Sequence, residues 1–381
     1  MTPADGIADG ALSDLRILDL STRLSAAFAA KLMGDHGADV ALVEPSEGHV
    51  LRIEPPFLDD VEGIERSLLH AYANQNKRSV VLDEGDLRRD DLMRAADIIV
   101  VSEPAEARHA SEVAPGAIVL AVTPYGVDTA MADFPGNDLT TAAVTGWSLI
   151  NGDQGEPPLR PTLHQSYYMA GTMAYAGTVA ALVERDRNGT GQIVDVCELE
   201  PLVWVGAPGV LAAAYGDPAS GMRNRPGVFR GPVASRDGHL SVTFSRPHFW
   251  IEAMRALGLD DLAEDPRYLD RTVRTAEAPE LQERIEGALA QRDSWDLFED
   301  MSRRRCTVGV VMTMKDLAEN EHLAVRNAFA ETVIDGREVK TLASPCEMSA
   351  TPWTMRSPAP RLGEHTGEVL GEWLADREVA R

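Results

Sequence analysis

Residues 15–44 read LRILDLSTRLSAAFAAKLMGDHGADVALVE. The short apolar runs at 15–20 and 38–44 are strand-like, and residues 24–36 between them repeat apolar positions at helical spacing. Together they make a β-α-β unit. Working outward, SVVLD at 79–83, a polar helix over 86–96, DIIVVS at 97–102 and AIVLAVT at 117–123 continue the alternation of strands and crossovers. The series predicts an α/β fold, with a large Rossmann-like domain on a mostly parallel sheet covered on both faces.

The turn after the first strand, DLSTRLSAAF at 19–28, holds no glycine. A dinucleotide fold needs GxGxxG there, so that a pyrophosphate can approach the helix N-terminus. Nicotinamide and flavin cofactors are therefore not expected. Residues 167–183 predict a helix whose small side chains, among them Ala170, Gly171, Ala174 and Gly177, let another backbone approach closely. It ends in Asn188-Gly189, a natural helix cap, before a strand at 192–196. Beyond it the texture changes to a strand pair over 228–243 and amphipathic helices near 249–257, 281–290 and 295–303. The expected organisation is a large domain over 1–221, a smaller α+β domain over 222–331 and a return segment, 332–381, to the large domain.

The chain has 381 residues, and its 36 Lys+Arg against 60 Asp+Glu give a formal charge of -24. Such a charge repels phosphate backbones and anionic membrane surfaces, which argues against nucleic-acid and membrane partners. It also means that a polyanionic ligand would need a local basic patch. Cys197, Cys306 and Cys346 lie far apart without metal-ligand spacing, and no spacing among the nine histidines suggests a metal site. The opening MTPADGIADGALSDL has neither a basic nor an apolar leader region, and no run of 18 apolar residues occurs. A cytoplasmic protein is expected.

Six segments, in this order, resemble the family III CoA-transferases, the group containing formyl-CoA transferase, carnitine CoA-transferase and α-methylacyl-CoA racemase. They are ILDLSTRLSAAFAAKLMGDHGADVALVEP at 17–45, NKRSVVLD at 76–83, GNDL at 136–139, GTGQIVDV at 189–196, GVVMTMKDL at 309–317 and PRLGEHT at 360–366. The resemblance implies an interlocked homodimer of two ring-like chains, with CoA bound near the first lobe and the active site between domains.

The resemblance also shows where this chain departs. The family's transferases use an aspartate as nucleophile toward an acyl thioester. Counting back from GTGQIVDV without a gap places that position on Tyr167, flanked by Ser166 and Tyr168. A phenol does not form the same mixed anhydride with ease. Racemases of the fold pair a histidine with that aspartate, and the histidine position maps to Asn137, which carries no exchangeable charge. Ala26-Ala27 stand in place of a Gly-Pro pair, Pro45-Ser46 follow the second strand, and Glu103 lies where phosphates would pass. Arg23, Asn76, Lys77 and Arg78 remain as candidate CoA contacts. As basic residues, Arg23, Lys77 and Arg78 equally suit solvated surface or structural ion pairs.

Candidate reacting groups are Tyr167, His164, Asn137 and Asp138. His164 stands three residues before Tyr167, so a helical turn would put both on one face near a helix N-terminus, where the dipole favours negative charge. Asp138 reads as a reacting carboxylate or as a cap. Three functions are consistent with this. One is an enzyme using non-covalent acid/base chemistry on an acyl-CoA thioester or related carbonyl compound. The others are a repurposed enzyme of specialised metabolism that does not use CoA, and a non-catalytic subunit of a heteromeric CoA-transferase.

Overall fold

The structure, a computed structural model, describes residues 10–152, 156–215, 228–229 and 231–379. Strands β1 (Arg16–Asp19), β2 (Asp39–Glu44), β3 (Lys77–Val81), β4 (Ile98–Val101), β5 (Ile118–Thr123) and β6 (Gln192–Cys197) form one sheet in the order β3-β2-β1-β4-β5-β6. Every neighbouring pair is parallel, with Leu18 opposite both Ala41 and Ile99. β4 reads IIVV and β5 IVLAVT, with every residue buried, as strands covered on both faces require.

The covering helices are α1 (Leu24–Asp35), α2 (Leu68–Ala73), α3 (Arg88–Ala95), α4 (Pro104–Val113), α5 (Asp138–Val144), α6 (Trp147–Ile150), α7 (Gln165–Asn188), α8 (Leu199–Val205) and α9 (Ala207–Ala214). One core joins Leu18, Val43, Val80 and Leu92 to Trp373 on the C-terminal helix Thr366–Val379. The other joins Ile17, Val40, Ile98 and Leu120 to alanines of α1 and α7. The small residues of α7 let α1 come close. A Cβ on Gly171 would lie 2.5 Å from the Ser25 carbonyl oxygen, an approach that only glycine permits. Gly189 ends α7 at φ 74°, donating to the Arg185 carbonyl.

The strand order reverses between β1 and β4. In open parallel sheets, that reversal opens a crevice outside the strands' carboxyl ends, where ligands bind.

The chain divides into two compact units, Met1–Gly221 with Leu323–Arg381, and Met222–His322. The second has its own core around Trp250, whose indole N–H donates to the Leu262 carbonyl at 2.9 Å. It contains an antiparallel sheet of β7 (Val233–Ala234), β8 (His239–Thr243) and β9 (Thr307–Val310), with helices that include Pro247–Ala256, Ala278–Leu289 and Ser294–Arg303. The first unit also holds an antiparallel hairpin, β10 (Phe329–Ile334) and β11 (Arg337–Leu342), which the sequence reading did not anticipate. Asp335 and Gly336 turn it with φ 47° and 78°, the pair of positive angles that a two-residue hairpin of right-handed twist demands.

No described helix is long and apolar enough to cross a membrane, and no cluster of metal-ligating side chains occurs among the described residues. The three cysteines form no disulfide.

Candidate active site

Three segments of the first unit converge around Tyr167: the 21–23 loop leaving β1, residues 136–138 opening α5, and residues 164–167 opening α7. The Tyr167 hydroxyl oxygen accepts the Asp138 backbone N–H at 3.0 Å. Because that oxygen already accepts a hydrogen bond, the phenol hydrogen is left to be donated elsewhere. The ring stacks on the His164 imidazole, centroids 5.9 Å apart with 10° between planes. The Arg23 guanidinium lies 5.5 Å from the ring centroid, within cation–π range. Burial raises the phenol pKa above its ordinary value, and the Arg23 charge opposes this only in part.

Asp138 is 5% exposed. Its Oδ1 accepts the Ser166 hydroxyl at 2.5 Å and the Ser166 N–H at 3.3 Å. Its Oδ2 is buried and accepts no hydrogen bond, with Arg160 Nη1 3.6 Å away. His164 sits in the left-handed region at φ 54°, and its Nδ1 is likewise buried without a partner. Strained backbone and unpaired buried polar atoms concentrate where a protein holds groups for function.

Asn137 occupies a different role from the reacting one considered above. It is exposed and caps α5: Oδ1 accepts the Thr140 N–H at 3.1 Å, while the Thr140 hydroxyl accepts the Asn137 N–H at 2.9 Å. That reciprocal cap fixes the turn from which Asp138 projects.

Arg23 is anchored by the protein itself. Nε and Nη2 donate to both oxygens of the fully buried Glu198 at 2.8 and 2.7 Å, and Nη2 also donates to the Gly136 carbonyl at 2.9 Å. Ser25 donates a further 2.5 Å bond to Glu198. Glu198 was absent from the sequence expectations. It follows β6 directly, where no motif marks it, and only its pairing across 175 residues shows its place.

The remaining basic candidates are engaged in the same way. Lys77 Nζ donates to Asp19 Oδ2 at 2.8 Å, the Ala27 carbonyl at 2.9 Å and Asn74 Oδ1 at 2.8 Å, so all three of its hydrogens are directed inward. Arg78 pairs with Asp39, Glu368 and Glu372. Asn76, at φ 60°, donates to Asp35 and accepts the Arg356 and Ser357 N–H groups. None of these four residues lines the crevice at the β1/β4 reversal.

The crevice at the β1/β4 reversal has a volume of about 1120 Å³. Glu47, Asp83, Glu84 and Asp86 line it from the loops after β2 and β3. Asp90 from α3, with Glu103 and Glu106 at the start of α4, lines the opposite wall. Arg89 and His109 are also in the lining, bonded to Glu106 at 3.1 Å and to Asp90 at 2.8 Å. Leu20, Ser21 and Thr22, leaving β1, are also in the lining. Thr22, in the crevice lining, precedes Arg23, whose guanidinium lies 5.5 Å from the Tyr167 ring centroid.

The profile of CoA-transferase family III matches residues 12–366. The chain is 29% identical to succinyl-CoA:(R)-benzylsuccinate CoA-transferase subunit BbsE of Thauera aromatica, over 94% of this chain and 93% of that one. It is 28% identical to the succinyl-CoA–L-malate CoA-transferase beta subunit of Chloroflexus aurantiacus, over 95% and 94%. A CaiB/BaiF family protein from Brucella suis shares the fold, with a TM-score of 0.83 over 96% of this chain and all of that one, at 23% identity.

Proposed function

The chain belongs to CoA-transferase family III, and from that premise we propose that it acts on an acyl-CoA thioester or related carbonyl compound by non-covalent acid/base chemistry. The observation that carries this reading is the pairing of Tyr167 with Asp138. The phenol oxygen is held by the Asp138 N–H, which leaves its hydrogen for a carbonyl oxygen as that atom gains negative charge. The Asp138 Oδ2, buried and without a hydrogen bond, stands ready to accept a proton. Ser166 fixes the carboxylate through its other oxygen. His164, stacked on the phenol, orients it. An aspartyl-acyl intermediate at position 167 has no carboxylate to form on.

The pH dependence of turnover tests this. Tyr167 acts as donor only while protonated, and burial holds its pKa above the ordinary value. Its contribution is therefore complete through neutral pH and is lost only as the pH rises past that elevated value. Turnover of a panel of acyl thioesters, of CoA and of N-acetylcysteamine, should show no alkaline limb below about pH 10. A limb centred well below that, present in the wild type and absent in Tyr167→Phe, would assign the donor a lowered pKa and sink the reading.

The family resemblance further suggests that the chain works as an interlocked homodimer. A second reading is supported by the names of two relatives, which designate them as subunits: the chain serves as the partner of a homologous chain that retains the aspartate. A light-scattering mass for the chain purified alone separates the two. A stable dimer with thioester turnover supports the first, and turnover appearing only on adding such a homologue supports the second.

A further inference from the structure

We propose that Arg23 and Glu198 act as a positioning pair for Tyr167: the guanidinium holds the phenol and the turn at 136–138 in one arrangement, and its charge, balanced by the carboxylate it is bonded to, strengthens the phenol as a hydrogen-bond donor. The inference rests on the reading of Tyr167 as donor to the substrate carbonyl, and adds two residues that act on the substrate only through it.

The geometry begins at Glu198, whose N–H donates to the Thr123 carbonyl at 2.9 Å and so ties its backbone to the end of β5. Arg23 places Nε and Nη2 on the two carboxylate oxygens, a two-pronged bond that fixes the plane of the guanidinium as well as its position. Its other Nη2 bond goes to the Gly136 carbonyl. Two residues further on, the Asp138 N–H is the group that holds the phenol oxygen. One guanidinium therefore joins the loop after β1, the end of β6 and the turn opening α5, and it lies 5.5 Å from the centroid of a ring carried by α7. The Arg23 side chain is 17% exposed and that of Glu198 fully enclosed. An ion pair enclosed this far gains little net stability over apolar side chains, so stability alone is a weak reason for it.

The charges act on the phenol in opposite senses. Burial raises its pKa, the Arg23 charge lowers it, and the Glu198 charge raises it again. The other charged or titratable groups facing it are Asp138, with Arg160 3.6 Å from its Oδ2, and His164 on the stacked side. Tyr168, on the same helix, is kept protonated by burial, and Leu51, Leu69 and Ala73 in the same apolar cluster carry no charge. A cation near the ring draws electron density from the hydroxyl and makes its hydrogen a better donor. The carboxylate bonded to that cation limits the effect, so the phenol keeps its hydrogen at neutral pH.

Steady-state kinetics and thermal melting of Arg23→Gln, Glu198→Gln and the double variant test the proposal. Each single change is expected to lower kcat about tenfold with KM little changed. Each should also lower the melting temperature, because it leaves one charge of the pair enclosed without the other. The double variant, which removes both charges, should regain most of the melting temperature and keep the low kcat. Recovery of turnover along with the melting temperature would make the pair structural only and overturn the proposal. The absorbance of ionised tyrosine, read for each variant against the same variant carrying Tyr167→Phe, supplies a second readout. Tyr167 should ionise at lower pH in Glu198→Gln, where Arg23 acts unopposed, and at higher pH in Arg23→Gln. Unmoved midpoints, or shifts in the same direction, would overturn the proposal as well. If Arg23→Gln does not fold, Glu198→Gln and the double variant carry both readouts. Adding Arg23→Gln to Tyr167→Phe should cost no further turnover, since the two act as a unit. A further loss of about tenfold there would overturn the pair's role and leave Tyr167 standing, whereas Tyr167→Phe turning over like the wild type would overturn the reading of Tyr167 itself.

Discussion

Tyr167→Phe is expected to lower turnover by about 10²–10³-fold, the effect of removing one preorganised donor to a developing oxyanion. The change is small for the fold. Phenylalanine keeps the ring that stacks on His164 and lies beneath Arg23. What it removes is the oxygen that accepts the Asp138 N–H, at a cost to stability of about 1 kcal/mol. The loss should fall on the turnover number rather than on substrate binding, because the bond strengthens only as charge gathers on the carbonyl oxygen. The measurement is steady-state kinetics on the best thioester of the panel, with thermal melting alongside. A tenfold loss or less, with the melting temperature unchanged, would reduce Tyr167 to a packing residue.

The second large effect concerns the fold. Lys77→Met should destabilise the protein by about 3–5 kcal/mol, since it leaves a charge buried without its partner. Lys77 and Asp19 are both fully enclosed and lie 2.8 Å apart. Burial alone would raise the Asp19 carboxyl, but the Lys77 charge and hydrogen bond outweigh it and hold the group below its ordinary value. In the wild type, then, the contribution of Asp19 is present above the ordinary carboxylate range near pH 4 and is lost as the pH falls through the lowered value. In Lys77→Met burial acts unopposed and raises the carboxyl, so the variant regains stability relative to the wild type as the pH drops toward 4. Urea unfolding at pH 7.5 and pH 4.5 measures the difference, and Lys77→Met combined with Asp19→Asn should recover much of it. If Lys77→Met were as stable as the wild type and lost only ligand affinity, Lys77 would be a binding residue after all.

The same lysine marks how far the sequence could be read. The run of apolar strands, the glycine-free first turn and the cap at Asn188-Gly189 are local signals, and they carry the parallel sheet and its covering helices. The β10–β11 hairpin was missed because its strands, FAETVI and REVKTL, are short and Glu331, Arg337, Glu338 and Lys340 leave no long apolar run on either side of the Asp-Gly turn. For the site, the family resemblance singled out Tyr167 and Asp138, and helical spacing paired His164 with Tyr167; that the three meet is seen only in the structure. It could not give the direction in which a side chain points. Lys77 and Arg78 are adjacent in a strand and so face opposite sides of the sheet, one into a buried pair and the other toward the C-terminal helix. Asn137 fills a position where family reasoning looked for a reacting group, and the contact that explains it, to Thr140, is a cap visible as Asn-x-x-Thr only once a helix is known to begin there. Glu198 carried no signal at all, because its meaning lies in Arg23, far away in sequence and adjacent in space.

The two readings of the site differ most sharply in whether the acyl group ever becomes attached to the protein. The direct measurement is the intact mass of the enzyme, acid-quenched during steady-state turnover of its best thioester substrate. Non-covalent chemistry at Tyr167 and Asp138 predicts the unmodified mass at every time point. A mass increased by the acyl group or by the thiol carrier, mapping to Asp138 or any other carboxylate, would contradict it and return the chain to the aspartyl route by a different residue.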